Sequence, residues 1–271
     1  MTYTRRELER ATAHILTVPA TYSIGVAVAD GLSPVANIAQ QIEATAALNA
    51  GFFDPQNGKT TSYITLDSNQ VGDPRQNPRL MENPDLAPYL SQILNRSEFR
   101  RYYCKTEEGN VQGVDTLNEG EGMRNRETRY AIALHNASSP EGCRILDSVG
   151  GGPRLLPVLT SIDEGFVAIA GDTRIRDALG ETQPNARSAV GLTATGDVLM
   201  VMAAQRPELQ PSGLTLAELA DLMRELGAVD ALNLDGGSST ALYYQGQTYL
   251  GRWSEGQPVE RPVKSALVVK E

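Results

Sequence analysis

The apolar positions of the chain fall mostly into short runs, with helical spacing in only a few places. Residues 5–17 set Leu8, Thr12, Ile15 and Leu16 on one face, which predicts a helix. "YSIGVAVAD" (22–30) predicts a strand that ends at an Asp-Gly turn. Residues 35–43 predict a helix, and a short strand follows that ends at Asn49. "NAGFFDPQNGK" is dense in turn formers, 73–88 is a proline-rich loop, and 89–103 reads as a helix. Residues 104–130 are the most polar part of the chain and read as a solvated insertion around 105–130, a loop or a hairpin with no function assigned.

From residue 145 the pattern sharpens. "FVAIA" (166–170) and "DVLMVMAA" (197–204) are continuous apolar runs of strand length, expected to be buried on both faces. "GLTLAELADLMRELG" is the clearest helix: Thr215 and Glu218 form a capping box, Leu216, Leu219, Ala220, Met223 and Leu226 line one face, and Gly227 stops it. "ALYYQGQTYL" predicts a hairpin around Gln245-Gly246, and "VKSALVVK" a last strand. Strands outnumber helices and do not alternate strictly with them. The expected class is α+β, a single domain over 1–271 with mixed, mainly antiparallel twisted sheets flanked by helices. No internal repeat or linker divides the chain.

Composition narrows the function. The 271 residues are 41% hydrophobic and 21% charged, an ordinary globular mixture. A net charge of −9 argues against nucleic acid as a partner, because a phosphate backbone needs clustered Lys and Arg. A small phosphorylated substrate stays open, since a few arginines in a cleft can override the global charge. No apolar run approaches the ~20 residues of a membrane span. The first sixteen residues read as polar and helical, unlike a signal peptide, so either the protein is cytosolic or a leader precedes this sequence. Cys104 and Cys143 are either two free thiols or one bridge.

Candidate chemistry rests on carboxylates, arginines and backbone amides. His14 and His135 are the only histidines and stand far apart, which disfavours a Ser-His-Asp triad or a histidine-built zinc site. "VGGGPRLLP" (149–157) is either a flexible turn or an anion-holding loop, in which the amides of Gly151 and Gly152 and the Arg154 guanidinium would meet a phosphate. In "ALNLDGGSST" (231–240), Asp235-Gly236-Gly237 is a hairpin signal, but the hydroxyl run that follows is a poor start for a core strand. Ser238 and Ser239 are good donors to sugar or phosphate oxygens, and Asp235 would project from a strand end into a crevice. Asn49 and Arg187 sit at strand ends in the same way.

The ordered set "ALNAGFFD", "GGGPRLL", "ARSAVG", "GLTLAELADLMRELGAVDALNLDGGSSTAL" and "ERPVKSALVV" resembles the phosphodiester glycosidase family, most strongly over 145–271 and around 45–54. The resemblance implies an extracytoplasmic enzyme, periplasmic or secreted, that hydrolyses a sugar-1-phosphodiester such as N-acetylglucosamine-1-phosphodiester, and it favours a Cys104–Cys143 bridge. The chain reads as bacterial. Two departures stand out: family members often carry Asp-Gly where this chain has "AAQRP" (203–207), and many have a third glycine before the serines. In the mechanism this implies, Asp235 is the carboxylate at the anomeric carbon. Arg154, Arg187, Gly151 and Gly152 hold the phosphate, while Asn49, Ser238 and Ser239, beside Gly236 and Gly237, orient the sugar. Glu260 is either a second catalytic carboxylate or half of a structural pair with Arg261. No cofactor is required in this reading. The alternatives are a phosphodiesterase with Ca²⁺ or Mg²⁺ on Asp235, Asp147 or Asp172, and an inactive glycan- or phosphoglycan-binding module.

Overall fold

The computed structural model describes residues 1–105 and 126–270; the expected polar insertion lies almost entirely outside the described residues. Three antiparallel sheets carry the fold. The first has the order β1 (Thr2–Glu7), β2 (Ala11–Val18), β14 (Val198–Gln205), β13 (Arg187–Thr193), β15 (Ala228–Asn233), β10 (Arg154–Leu156). The second runs β17 (Gln247–Leu250), β16 (Ala241–Tyr244), β4 (Ala46–Asn49), β20 (Val263–Lys270), β3 (Ser23–Ser33). The third runs β6 (Asn69–Gly72), β5 (Ile64–Leu66), β9 (Cys143–Gly150), β7 (Ser97–Lys105), β8 (Arg126–Leu134). Two hairpins stand apart, β11 (Val167–Ala170) with β12 (Thr173–Asp177), and β18 (Arg252–Ser254) with β19 (Gln257–Val259). The class is α+β with strand predominant.

Strand β14 shows how the layers stack. Leu199, Val201 and Ala203 pack under helix α4 (Leu216–Glu225) with Leu216, Leu219 and Met223. Val198, Met200 and Met202 point the other way, onto Leu48, Leu242 and Leu267 of the second sheet and Phe99 and Val149 of the third. Helix α1 (Val35–Gln41) covers the far side of the second sheet through Val35, Ile38 and Ala39. A strand covered on both faces needs apolar residues at every position, and each fully buried side chain of this size contributes about 1.5–3 kcal/mol. The capping box at Thr215 and Glu218 is formed as the local sequence predicts.

Three expectations fail, two of them because buried polar residues hide a strand. Residues 5–17 form β1 and β2 instead of a helix. Thr12, His14 and Leu16 line one face while Ala11, Ala13 and Ile15 line the other, and a buried Thr and His mask the two-residue period. Residues 89–103 are helical only over α3 (Leu90–Ile93), after a short α2 (Pro78–Met81); β7 then begins, with Glu98 and Arg100 buried where apolar residues would have signalled a strand. The run 166–170 is buried only at Phe166 and Val167. Ile169 is 52% exposed because the β11–β12 hairpin lies outside the main sheets.

Cys104 and Cys143 face each other in the β7–β9 register and form a disulfide. By loop entropy this bridge, spanning a sequence separation of 39, contributes about 4 kcal/mol. Among the described residues no helix is long and apolar enough to cross a membrane.

Candidate active site

Four loops converge where β4, β9 and β15 end and β13 begins. Asn49, the last residue of β4, is fully buried. Its Nδ2 donates to the Asp235 carbonyl at 2.6 Å, and its Oδ1 accepts from Ser188 Oγ at 2.6 Å and from Ala241 N–H at 3.1 Å. The Asp235 N–H donates to the Ala50 carbonyl at 2.9 Å, and Gly237 N–H to the Ala186 carbonyl at 2.8 Å. Asn233 exchanges two bonds with Gly152, and its own N–H reaches the Pro153 carbonyl. The small residues are required by this crowding. A Cβ on Gly151 would lie 2.7 Å from the Asn233 carbonyl oxygen, and one on Gly236 would lie 2.9 Å from that of Ala186. Gly237 also takes φ +59, the left-handed region that favours glycine.

Asp235 stands at the centre of this junction. One carboxylate oxygen accepts the Gly236 N–H at 2.9 Å, and no ion pair reaches the side chain among the described residues. Desolvation pushes its carboxyl up to about 6, against the opposing pull of Ser239, the Gly236 amide and the Arg261 charge. The Ser239 hydroxyl is buried and, although it favours the ionised carboxylate, makes no well-formed hydrogen bond. A carboxylate poised near neutrality, unpaired and framed by loops, has the properties of a catalytic group.

The phosphodiester glycosidase family model matches residues 43–270. The chain belongs to the phosphodiester glycosidase family. Solved structures agree in fold. The catalytic domain of zebrafish N-acetylglucosamine-1-phosphodiester α-N-acetylglucosaminidase, auto-inhibited by its pro-peptide, matches with TM-score 0.63 at 16% identity, covering 100% of this chain and 82% of that one. A hypothetical protein from Synechocystis gives TM-score 0.60 at 19% identity over 98% of this chain. This chain spans 61% of the Synechocystis protein's length. A Burkholderia pseudomallei protein named as exported gives TM-score 0.62 at 16% identity, with coverages of 96% and 74%. No curated protein matches the chain.

Within this family frame, several expected ligands prove to be occupied by the protein itself. The N–H groups of Gly151 and Gly152 donate to the carbonyls of Ser97 (2.9 Å) and Asn233 (2.7 Å), so neither is free for a phosphate. Arg154 forms a two-pronged pair with Asp230 on β15, at 2.8 and 2.5 Å, and its Nε also meets the Leu156 carbonyl. Asp230 is five residues before Asp235, roughly 16 Å away along an extended chain. The Arg187 guanidinium is buried and donates to four backbone carbonyls, those of Leu179, Gly180, Gln183 and Leu214. Desolvation lowers it to about 10, which leaves it charged and holding the loop at 179–183. Asn49 likewise clamps the Asp235 loop from beneath, where no sugar reaches it.

Glu260 and Arg261 are both exposed and form no ion pair with each other. Arg261 instead acts on Asp235. Ser238 is half-buried at the rim. Asp147 pairs with Arg101 on the third sheet at 3.0 Å, and Asp172 lies in the exposed β11–β12 turn, so neither joins Asp235. Among the described residues no group of three or more His, Cys, Asp and Glu converges. His14 is held at 2.9 Å by Tyr3, and His135 stacks on Tyr63.

Glu164 supports the site without any sequence signal to mark it. Fully buried, its carboxylate accepts from Ser97 N–H and Oγ and from the Arg154 N–H, at 2.9, 2.9 and 3.0 Å, and so fixes the loop that carries Gly151 and Gly152. "DEGFV" bears no motif that signals this role.

Proposed function

We propose that this protein hydrolyses a glycosyl phosphodiester, such as an N-acetylglucosamine-1-phosphodiester, at the sugar C–O bond. The observation that carries the proposal is Asp235, a desolvated and unpaired carboxylate at the convergence of the family's glycine-rich loops. In the proposed reaction, Asp235 attacks the anomeric carbon or takes a proton from the water that does. The phosphomonoester leaves with the bridging oxygen, and the sugar gains the oxygen of water. A phosphate monoester is a weak base, so its departure needs less protonation than that of a sugar alcohol, which accords with a site that has one carboxylate at its centre. Arg261, whose charge is felt at Asp235, is the cation available to the departing phosphate. Ser238, at the rim, offers its hydroxyl to the sugar. Ionisation of Asp235 near pH 6 sets the acidic limb of activity. The disulfide and the exported relative support an extracytoplasmic location.

The test is hydrolysis of an α-N-acetylglucosamine-1-phosphodiester in ¹⁸O-labelled water. Label should appear on the anomeric oxygen, and Asp235→Asn should lower turnover about 10³-fold or more. Label on the phosphate would instead establish a phosphodiesterase, and substrate binding without turnover a binding module. Either outcome overturns the proposal.

A further inference from the structure

An open groove of about 680 Å³ lies apart from Asp235, which is not among its lining residues. It opens between the β1–β2–β14 edge of the first sheet, the β16–β17 hairpin of the second, and the β18–β19 hairpin. Its wall is shared with the candidate active site. Gly251 N–H donates to the Thr240 carbonyl at 2.8 Å, Gln205 N–H donates to the Gly251 carbonyl at 2.7 Å, and Arg252 Nη1 reaches Asn185 Oδ1 at 3.3 Å beside Gly237. The next residue, Trp253, lines the groove.

The lining is aromatic surface interleaved with planar polar groups. Trp253 is half-buried, and its indole has no hydrogen-bond partner among the described residues, so both its ring face and its N–H donor are available. Its backbone N–H is pinned at 3.1 Å by Gln205 Oε1, and Gln205 Nε2 is in turn held by the Ser212 carbonyl. Tyr249 is set rigidly by stacking on Tyr3 and by packing against His14, with ring centroids 5.4 and 4.5 Å away. The charges cancel locally: Arg5 pairs with Glu7 at 2.6 Å, and Arg206 with Glu208 at 2.7 Å. Paired charges leave no field to select an anion or a cation, while flat aromatic faces and fixed polar groups suit the alternating apolar faces and hydroxyl edges of a pyranose. An open groove admits a chain where a closed pocket would take a single ring.

We propose that this groove is a second carbohydrate-binding site, which takes a neutral oligosaccharide and lies beside Asp235 without including it. The site stands whether or not Asp235 performs the hydrolysis proposed above. Ala204, Gln205, Arg206 and Pro207 of the segment "AAQRP" line it.

Trp253 is the only tryptophan in the chain, so its emission reports on this groove alone. Chitotriose, maltotriose and cellotriose should be titrated into the full chain to millimolar concentration while tryptophan emission is followed. At least one should give a saturable change that survives in Asp235→Asn. Isothermal titration should show Trp253→Ala weakening that binding about tenfold or more, and Gln205→Ala a smaller loss, both variants being checked for native circular dichroism. No saturable change with any of the three, a change abolished by Asp235→Asn, or a response to a neutral peptide but not to the saccharides would overturn the assignment. If Trp253→Ala misfolds, Gln205→Ala decides the matter: unchanged affinity in that variant overturns it.

Discussion

Charge is desolvated in two regions of this molecule, and the two are built on opposite principles. In the third sheet, Arg100 is enclosed and fully engaged: Nε donates to Glu98 at 3.0 Å, and the terminal nitrogens meet the carbonyls of Leu134, His135 and Ala137 at 2.7, 2.6 and 2.8 Å. His135 Nδ1 closes the network on the other Glu98 oxygen at 2.5 Å. At the meeting of the loops, the half-buried Asp235 has one backbone amide, the pull of the Ser239 hydroxyl and the charge of Arg261, with no ion pair among the described residues. Where every donor and acceptor is matched, burial secures architecture. Where a carboxylate is desolvated and left unmatched, the protein itself does not offset the cost, and this is the feature on which the proposed catalytic role of Asp235 rests.

The sharpest way to break the comparison is to remove a partner from the matched network. Arg100→Leu leaves Glu98 buried without its cation and strands three carbonyls, so unfolding stability should fall by about 3–5 kcal/mol. Adding Glu98→Leu to this variant should recover part of the loss, because the uncompensated charge is then gone. Urea unfolding of the three proteins tests this. A single variant within 1 kcal/mol of wild type (about that much being ordinary for any substitution) would show that the network contributes little.

This contrast also marks what could be read from the sequence. Asp235 and Asn49 stood out because each is a polar residue that ends an apolar strand before glycines, but the buried Asn49 amide holds the Asp235 loop and does not face a sugar. Helix α4 was legible because its caps are a local code. Arg154 and Arg187 drew the expectation of phosphate binding, yet their donors go to Asp230 and to four carbonyls, and no sequence pattern records where carbonyls point. Strands β2 and β7 were misread because His14, Glu98 and Arg100 are buried polar residues, and a hydrophobic period cannot register them. Glu164 was invisible because its contacts come from Ser97, distant in the chain, and from a loop folded back on itself.

Asp235→Asn sharpens the comparison from the other side. The wild-type carboxyl is raised to about 6 in the folded protein, against an ordinary value of 3.8. Between those values the folded state keeps a proton that the unfolded chain has lost, so stability drains as pH rises through that window. Above about pH 6 the whole cost is present. The amide carries no charge to desolvate and still accepts the Gly236 N–H. The variant should therefore be more stable than wild type by about 1–3 kcal/mol at pH 7, with the difference falling to roughly a fifth of that at pH 4. Thermal unfolding at the two pH values distinguishes this from a packing effect, which would be the same at both. A loss of stability at pH 7 would place Asp235 with the matched charges.

The smallest effect concerns Arg261, whose charge acts on Asp235. Arg261 lowers the Asp235 carboxyl by Coulomb attraction, and its own side chain is exposed, so solvent screens the interaction. Arg261→Ala should raise that carboxyl further and move the acidic limb of kcat/KM to higher pH by a fraction of a unit. High salt should move the wild-type limb in the same direction while leaving the variant where it is, because screening and deletion remove the same interaction. Arg261→Lys should keep most of the wild-type position. If Arg261 also meets the departing phosphate, the loss in kcat/KM will exceed what the limb shift explains and will persist on the pH plateau, where Asp235 is fully ionised in both proteins. A variant with wild-type plateau and wild-type limb would remove Arg261 from the site and leave Asp235 with only the Gly236 amide and the Ser239 hydroxyl.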